Sequence, residues 1–200
     1  MGVYPVTTEQ YRLIMGDYGR GNDPNVGYAM YYVDYDKAVE FCGKLPTACR
    51  LPTEAEWEFA CRAGTNTRFF FGDGEKELRN YALAFGDWGH PNEMNLSVGR
   101  TRPNPWGLYD LYSLDGEWCS DWLGPYEKLQ PDRYGNIPIA LIDPKGPANP
   151  VNPVFDPSGR RRVVRGCCAW VNLAGSRSRH GCDVKPTGRG TMFRVVMEVK

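Results

Sequence analysis

The residues best equipped for chemistry are seven cysteines, at positions 42, 49, 61, 119, 167, 168 and 182. A thiolate is both a nucleophile and a soft-metal ligand. Three of them fall in residues 165–196, RGCCAWVNLAGSRSRHGCDVKPTGRGTMFRVV. The two ends of this stretch, Arg165-Gly166 and Phe193-Arg194-Val195-Val196, read as framework. Its interior has neither helical nor strand periodicity, which suggests a surface loop carried by a rigid scaffold. No CxxC occurs and the chain has two His, so zinc spacing is absent. Cys42 and Cys61 fall on apolar helical faces and read as small buried thiols. Cys167 and Cys168 admit either a strained vicinal disulfide or two unpaired thiols.

Other titratable groups read as structural. His180, between Arg179 and Gly181, is expected at the surface. Glu54, Glu56 and Glu58 occupy a helix's first turns, where capping and the helix dipole account for them. Asp110, Asp121 and Glu117, set among aromatics, are expected to be buried hydrogen-bonders, because nothing fixes two of them at a glycosidase separation. Arg160-Arg161-Arg162 precedes a strand and reads as a solvated or ion-paired cluster. Arg177 and Arg194 are expected to pin the final loop through backbone carbonyls. Trp170 fits either the core or a ligand platform.

The positioning elements are legible in part. Thr7-Thr8-Glu9-Gln10 caps a helix that Gly16 ends. Residues 34–45 form a second, with Tyr35, Ala38, Val39, Phe41, Cys42 and Leu45 on its apolar face. Thr53-Glu54-Ala55-Glu56 is a capping box opening a third, which Gly64 stops. Residues 65–107 are irregular, residues 108–122 have the aromatic texture of a core strand or turn, and residues 124–160 hold eight prolines and read as a surface excursion. Residues 161–164 and 193–199 alternate as strands do. With no repeat or low-complexity linker, residues 1–200 read as one domain.

Lys plus Arg and Asp plus Glu both total 24, with no run of like charge. That balance argues against nucleic acid or a membrane surface as partner. There is no apolar run long enough to span a bilayer. Met1-Gly2-Val3-Tyr4-Pro5 lacks the features of a signal peptide, and its abrupt, strand-like start suggests a longer parent chain.

Arg50-Leu51-Pro52-Thr53-Glu54-Ala55-Glu56-Trp57-Glu58-Phe59-Ala60 closely resembles the signature of the formylglycine-generating-enzyme (sulfatase-modifying factor) family. Pro5-Val6-Thr7, Asn104-Pro105-Trp106-Gly107-Leu108-Tyr109-Asp110, Glu117-Trp118-Cys119-Ser120-Asp121-Trp122, Arg162-Val163-Val164-Arg165-Gly166 and Phe193-Arg194-Val195-Val196 follow in the family's order. The resemblance implies an α+β, C-type lectin-like fold: loop-rich, with two main helices, small twisted antiparallel sheets and neighbouring termini. The strands that usually precede Pro5 are missing. The family's oxidases hold copper(I) with two cysteines at a fixed spacing in the final segment, where this chain has Val171 and Ser176. Cys167, Cys168 and Cys182 are displaced from those places, and no pair among them has that spacing. The related thiohistidine-forming branch needs more His than the two present. Leu114 stands where some members have a calcium-ligating Asn, so Asp115 and Glu117 leave only a weak calcium site conceivable.

The terminal layout also resembles the variable proteins of the same fold, whose final segment is rewritten by diversity-generating retroelements. That likeness implies a non-catalytic binding protein with a variable segment of about residues 165–196. Its ligand-binding positions would be Cys168, Ala169, Trp170, Val171, Asn172, Leu173, Ser178, His180, Cys182, Asp183 and Val184, with no catalytic residue and no cofactor. The expected partner is a protein or other surface ligand, bound by a monomer. By analogy the parent chain is exported and anchored at the cell surface by a segment outside this sequence. The alternative is a copper-dependent formylglycine-generating oxidase acting on a peptide cysteine, with Cys167 or Cys168 and Cys182 as ligands.

Overall fold

The computed structural model describes residues 1–16, 27–83, 96–113, 116–124, 161–166, 179–183 (backbone only) and 191–198. Of the three α-helices, α1 (Thr8–Met15) and α3 (Glu54–Arg62) form where the capping signals stand, and α2 (Tyr35–Lys44) where the apolar face does. α1 and α3 both have complete capping boxes, Thr7 with Gln10 and Thr53 with Glu56. Each box satisfies amide groups that a helix start leaves without partners. α3 ends on Ala63, a non-glycine in the left-handed region (φ 47°), and Gly64 follows at φ 88°. A 3-10 helix spans Glu75–Asn80.

The strands are β1 (Cys49–Arg50), β2 (Ala82–Leu83), β3 (Tyr112–Ser113), β4 (Glu117–Trp122), β5 (Arg161–Arg165), β6 (Arg179–Asp183) and β7 (Val196–Met197). β4, β5 and β6 form an antiparallel sheet in that order, and β1 pairs antiparallel with β7. β2 and β3 pair in parallel, unlike the antiparallel sheets that the resemblance implies.

β4 and β5 divide the interior in two. Successive strand residues point to opposite faces. Trp118 and Val164 therefore enter one core, with Tyr11, Val33, Phe41 and Phe193. Cys119 and Val163 enter the other, with Trp57, Phe69, Leu111 and Tyr112. Each core combines stacked and edge-on ring contacts. Tyr11 stacks on Phe41 at 5.6 Å while Phe193 meets Phe41 edge-on at 5.3 Å. In the second core Phe70 stacks on Tyr112 at 5.2 Å and Phe69 meets the same ring edge-on.

The last strand is shorter than its alternation suggests. Residues 193–195 serve the N-terminus instead: Val6 donates its amide to the Phe193 carbonyl (2.9 Å) and Gly2 to that of Val195 (2.7 Å). This brings the two ends of the described chain together, as the resemblance implies.

The α3 capping box makes a direct test. Thr53→Ala should cost about 1 kcal/mol by urea denaturation, and Thr53→Ser should be near neutral. The same box makes acid sensitivity. Arg50 binds both Glu56 carboxylate oxygens at 2.7 Å, and the Thr53 amide donates to one of them. These contacts, Arg50 foremost, lower the Glu56 pKa from 4.5 to about 2. A depressed carboxylate pKa stabilises the fold above 4.5, and the contribution fades as pH falls toward 2. Glu56→Gln should therefore flatten the stability–pH curve between those values.

Candidate functional site

Residues 165–196 leave and re-enter the scaffold at a single place. At the start, Arg165 pairs with Glu117 in the β4–β5 register. At the end, Met192 forms a parallel bridge to the same Glu117. Further backbone bonds fix both ends. Ser113 donates to the Gly166 carbonyl (2.9 Å), Trp118 donates to Met192 (3.0 Å), Met192 donates to Gly116 (3.0 Å) and Val33 donates to Thr191 (3.2 Å). Thr191, Met192, Phe193 and Arg194 are all buried.

Two buried arginines lock these ends. Arg165, with no exposed surface, donates Nη1 to Glu54 (2.9 Å) and Nη2 to Glu58. Arg194, equally buried, grips Glu117 through Nε (2.6 Å) and Nη2 (2.5 Å). It also donates to the carbonyls of Gly2 (3.1 Å) and Tyr109 (3.1 Å). Arg194 thus bonds carbonyls as expected, but those of the N-terminus and the 109 turn. Arg177 lies outside the described residues. Capping and dipole account for Glu56; Glu54 and Glu58 serve instead as counter-ions of Arg165.

The internal carboxylates are structural. Glu117 also accepts from the Trp57 indole N–H (2.7 Å), so its oxygens are committed and not free for a cation. Asp121 accepts the Glu54 amide at the start of α3 (2.7 Å). Asp110 accepts from the Gly99 amide (2.6 Å) and the Thr101 hydroxyl (2.7 Å), and burial raises its pKa. Asp115 lies outside the described residues. Burial also pushes the Cys42 thiol up to about 12 and Cys119 well above its usual value, so neither is a ready thiolate. Among the described residues no group of three or more His, Cys, Asp or Glu is placed to hold a metal.

Of the expected ligand-binding positions, His180, Cys182 and Asp183 lie on β6, opposite Val164, Arg162 and Arg161 of β5. Cys168, Ala169, Trp170, Val171, Asn172, Leu173, Ser178 and Val184 lie outside the described residues, as does Cys167.

Two features escaped the sequence reading. Arg162 does not join a solvated or ion-paired cluster. Its guanidinium lies 3.4 Å from the Trp122 ring centroid and 4.4 Å from that of Tyr35, and Nη1 donates to the Ser120 carbonyl (2.7 Å). The signal was absent because strand register, not sequence proximity, brings residue 122 to residue 162. Secondly, Phe59 of α3 turns outward, 68% exposed, and meets half-exposed Trp106 edge-on at 4.9 Å.

A loop-rich α+β frame that fastens one long segment at both ends is a C-type-lectin-like scaffold of the formylglycine-generating-enzyme type. The chain belongs to the family of sulfatase-modifying factor enzyme 1-like domains, whose model matches residues 1–199. It is 33% identical over 157 residues to the serine/threonine-protein kinase pkn1 of Chlamydia pneumoniae, matching 78% of this chain and 20% of that protein. It is 31% identical over 151 residues to the formylglycine-generating enzyme of Bos taurus, matching 70% of this chain and 34% of the enzyme. The chain thus spans about a fifth and a third of these relatives. Among solved structures, Treponema denticola variable protein 1 superposes with a TM-score of 0.71 at 24% identity, over 96% of this chain and 83% of its own. PvdO from Pseudomonas aeruginosa superposes at 0.63 and 20% identity, over 98% and 79%. These two likenesses are of fold.

Proposed function

We propose that this domain is a non-catalytic ligand-display protein whose segment 165–196 forms a receptor surface, diversified by a retroelement. The observation that carries the reading is that both segment ends lie beside Glu117 and are fastened by fully buried arginines, Arg165 to Glu54 and Glu58 and Arg194 to Glu117 itself. A surface meant to vary needs a frame that does not depend on its filling. A rigid frame also lowers the entropy cost of ordering a binding loop. The fold shared with the Treponema variable protein supports the reading. The proposed positions are Cys168, Ala169, Trp170, Val171, Asn172, Leu173, Ser178, His180, Cys182, Asp183 and Val184. The partner is a protein or other surface molecule, met by a monomer held at the cell surface.

The formylglycine-generating relatives favour a second reading, a copper oxidase. Its donor set fits poorly: Cys167 and Cys168 are adjacent, and Cys182 lies far along the chain. Adjacent thiolates seldom present both sulfurs to one soft ion.

Cu(I) titration of the reduced protein separates the two. Display predicts no tight stoichiometric Cu(I) binding, together with native-like melting for most members of a library randomised at the proposed positions. Tight Cu(I) binding lost in Cys182→Ala, or collapse of most of the library, overturns it.

A further inference from the structure

We infer that Arg162, clamped between Tyr35 and Trp122, is a fixed anchor for a single carboxylate on a protein ligand. The inference rests on the display reading and names the chemistry of one contact on that surface.

Arginine in a structural sandwich normally finds a carboxylate. Arg162 has none: the Ser120 carbonyl is its sole hydrogen-bond acceptor among the described residues. Nε is buried with no partner. Nη2 has no acceptor among the described residues and is not buried, and the side chain as a whole is half-buried. A half-buried charge with no carboxylate in contact among the described residues is costly to keep.

The groups facing it have other commitments. From β4, Asp121 accepts the Glu54 amide, and Ser120 supplies only its carbonyl. From α2, Tyr35 is buried and donates its hydroxyl to the Ser120 carbonyl (3.4 Å). Asp36 acts on the guanidinium at a distance, without a contact. From β6, Cys182 stands opposite in the strand register. Arg162 thus lies on the strand that pairs with the proposed ligand-binding positions.

The two rings and the Ser120 carbonyl hold the guanidinium in place. With Nε buried and Nη1 bonded to Ser120, the Nη2 side of the fixed guanidinium is the part that a carboxylate can approach. It also loses little side-chain entropy on binding. Polyanions are a poor match. They are held by several cations at once, and this chain is neutral overall. The fitting partner is therefore one Glu or Asp side chain on a folded protein surface.

The experiment is an NMR titration of the isotope-labelled protein with sodium acetate, at ionic strength held constant with chloride. The Arg162 Nε–H and Trp122 indole N–H resonances should shift together and saturate. N-acetyl-glutamate amide should act in the same way. Arg162→Lys, which keeps the charge and loses the fork, should bind about tenfold more weakly. Trp122→Phe, which keeps a ring over the guanidinium, should retain the response. The wild-type titration decides even if a variant fails to fold. Absence of a saturable shift overturns the inference. So does saturation by inorganic sulfate at lower concentration than acetate. Either failure leaves the display reading standing, since Cu(I) binding and the randomised library judge that separately.

Discussion

Arg194→Ala should destabilise the domain by about 3–5 kcal/mol, the usual cost of removing one partner from a buried ion pair. Domains of this kind have about 5–15 kcal/mol in all. Three losses coincide in this variant. Glu117 is left in a site with almost no solvent contact and, among the described residues, with the Trp57 indole as its remaining side-chain donor. The carbonyls of Gly2 and Tyr109 lose their donor. The turn holding the C-terminal end of the proposed binding segment loses its anchor. Urea denaturation measures the change. The double variant Arg194→Met with Glu117→Gln should be less destabilised than Arg194→Ala, because no uncompensated charge is left behind. A loss under about 1 kcal/mol for Arg194→Ala would mean that the pair does not hold the ends together.

The second large effect is expected at Gly166→Ala. Gly166 has φ +82°, which disfavours any side chain. An added Cβ would also run into the Leu111 carbonyl oxygen and lie 2.9 Å from Cζ2 of the fully buried Trp57. Neither neighbour is the movable tip of a flexible side chain. Strain of about 1–3 kcal/mol from the backbone adds to a similar cost from overpacking. The loss should therefore approach that of Arg194→Ala. By contrast, Gly64→Ala at φ +88° meets nothing within 4 Å and should show only the backbone share. Comparing melting temperatures of the two variants separates strain from collision.

Much of the frame was legible in sequence because short-range chemistry writes it. Thr7 with Gln10 and Thr53 with Glu56 are three residues apart, and both boxes form. Family resemblance placed the C-type-lectin-like fold. The roles of the charged residues were less legible. Glu54 and Glu58 look like helix-start acids until Arg165 arrives from more than a hundred residues away. Arg162 looked solvated because nothing local reveals that β4 and β5 pair and place Trp122 against it. Phe59 carried no sequence signal of exposure, yet it lies on the outer side of α3 and finds Trp106 there. The candidate site was legible in its limits: Arg165, Gly166 and Arg194 are all framework. Three of the proposed positions, His180, Cys182 and Asp183, are placed on β6 by register, and the others lie outside the described residues.

The shared foothold on Glu117 has a consequence for length as well as for composition. Because the chain departs and returns beside one residue, the distance its ends must span is fixed by the sheet and not by what lies between. Closing a flexible loop grows costlier only slowly, by about 0.6 kcal/mol for each doubling. A change of length between Arg165 and Met192 is therefore expected to cost folding little, provided that β6 still pairs with β5. On the proposed display reading, insertion and deletion are then expected to be tolerated as well as substitution, which the melting temperatures of length variants would measure.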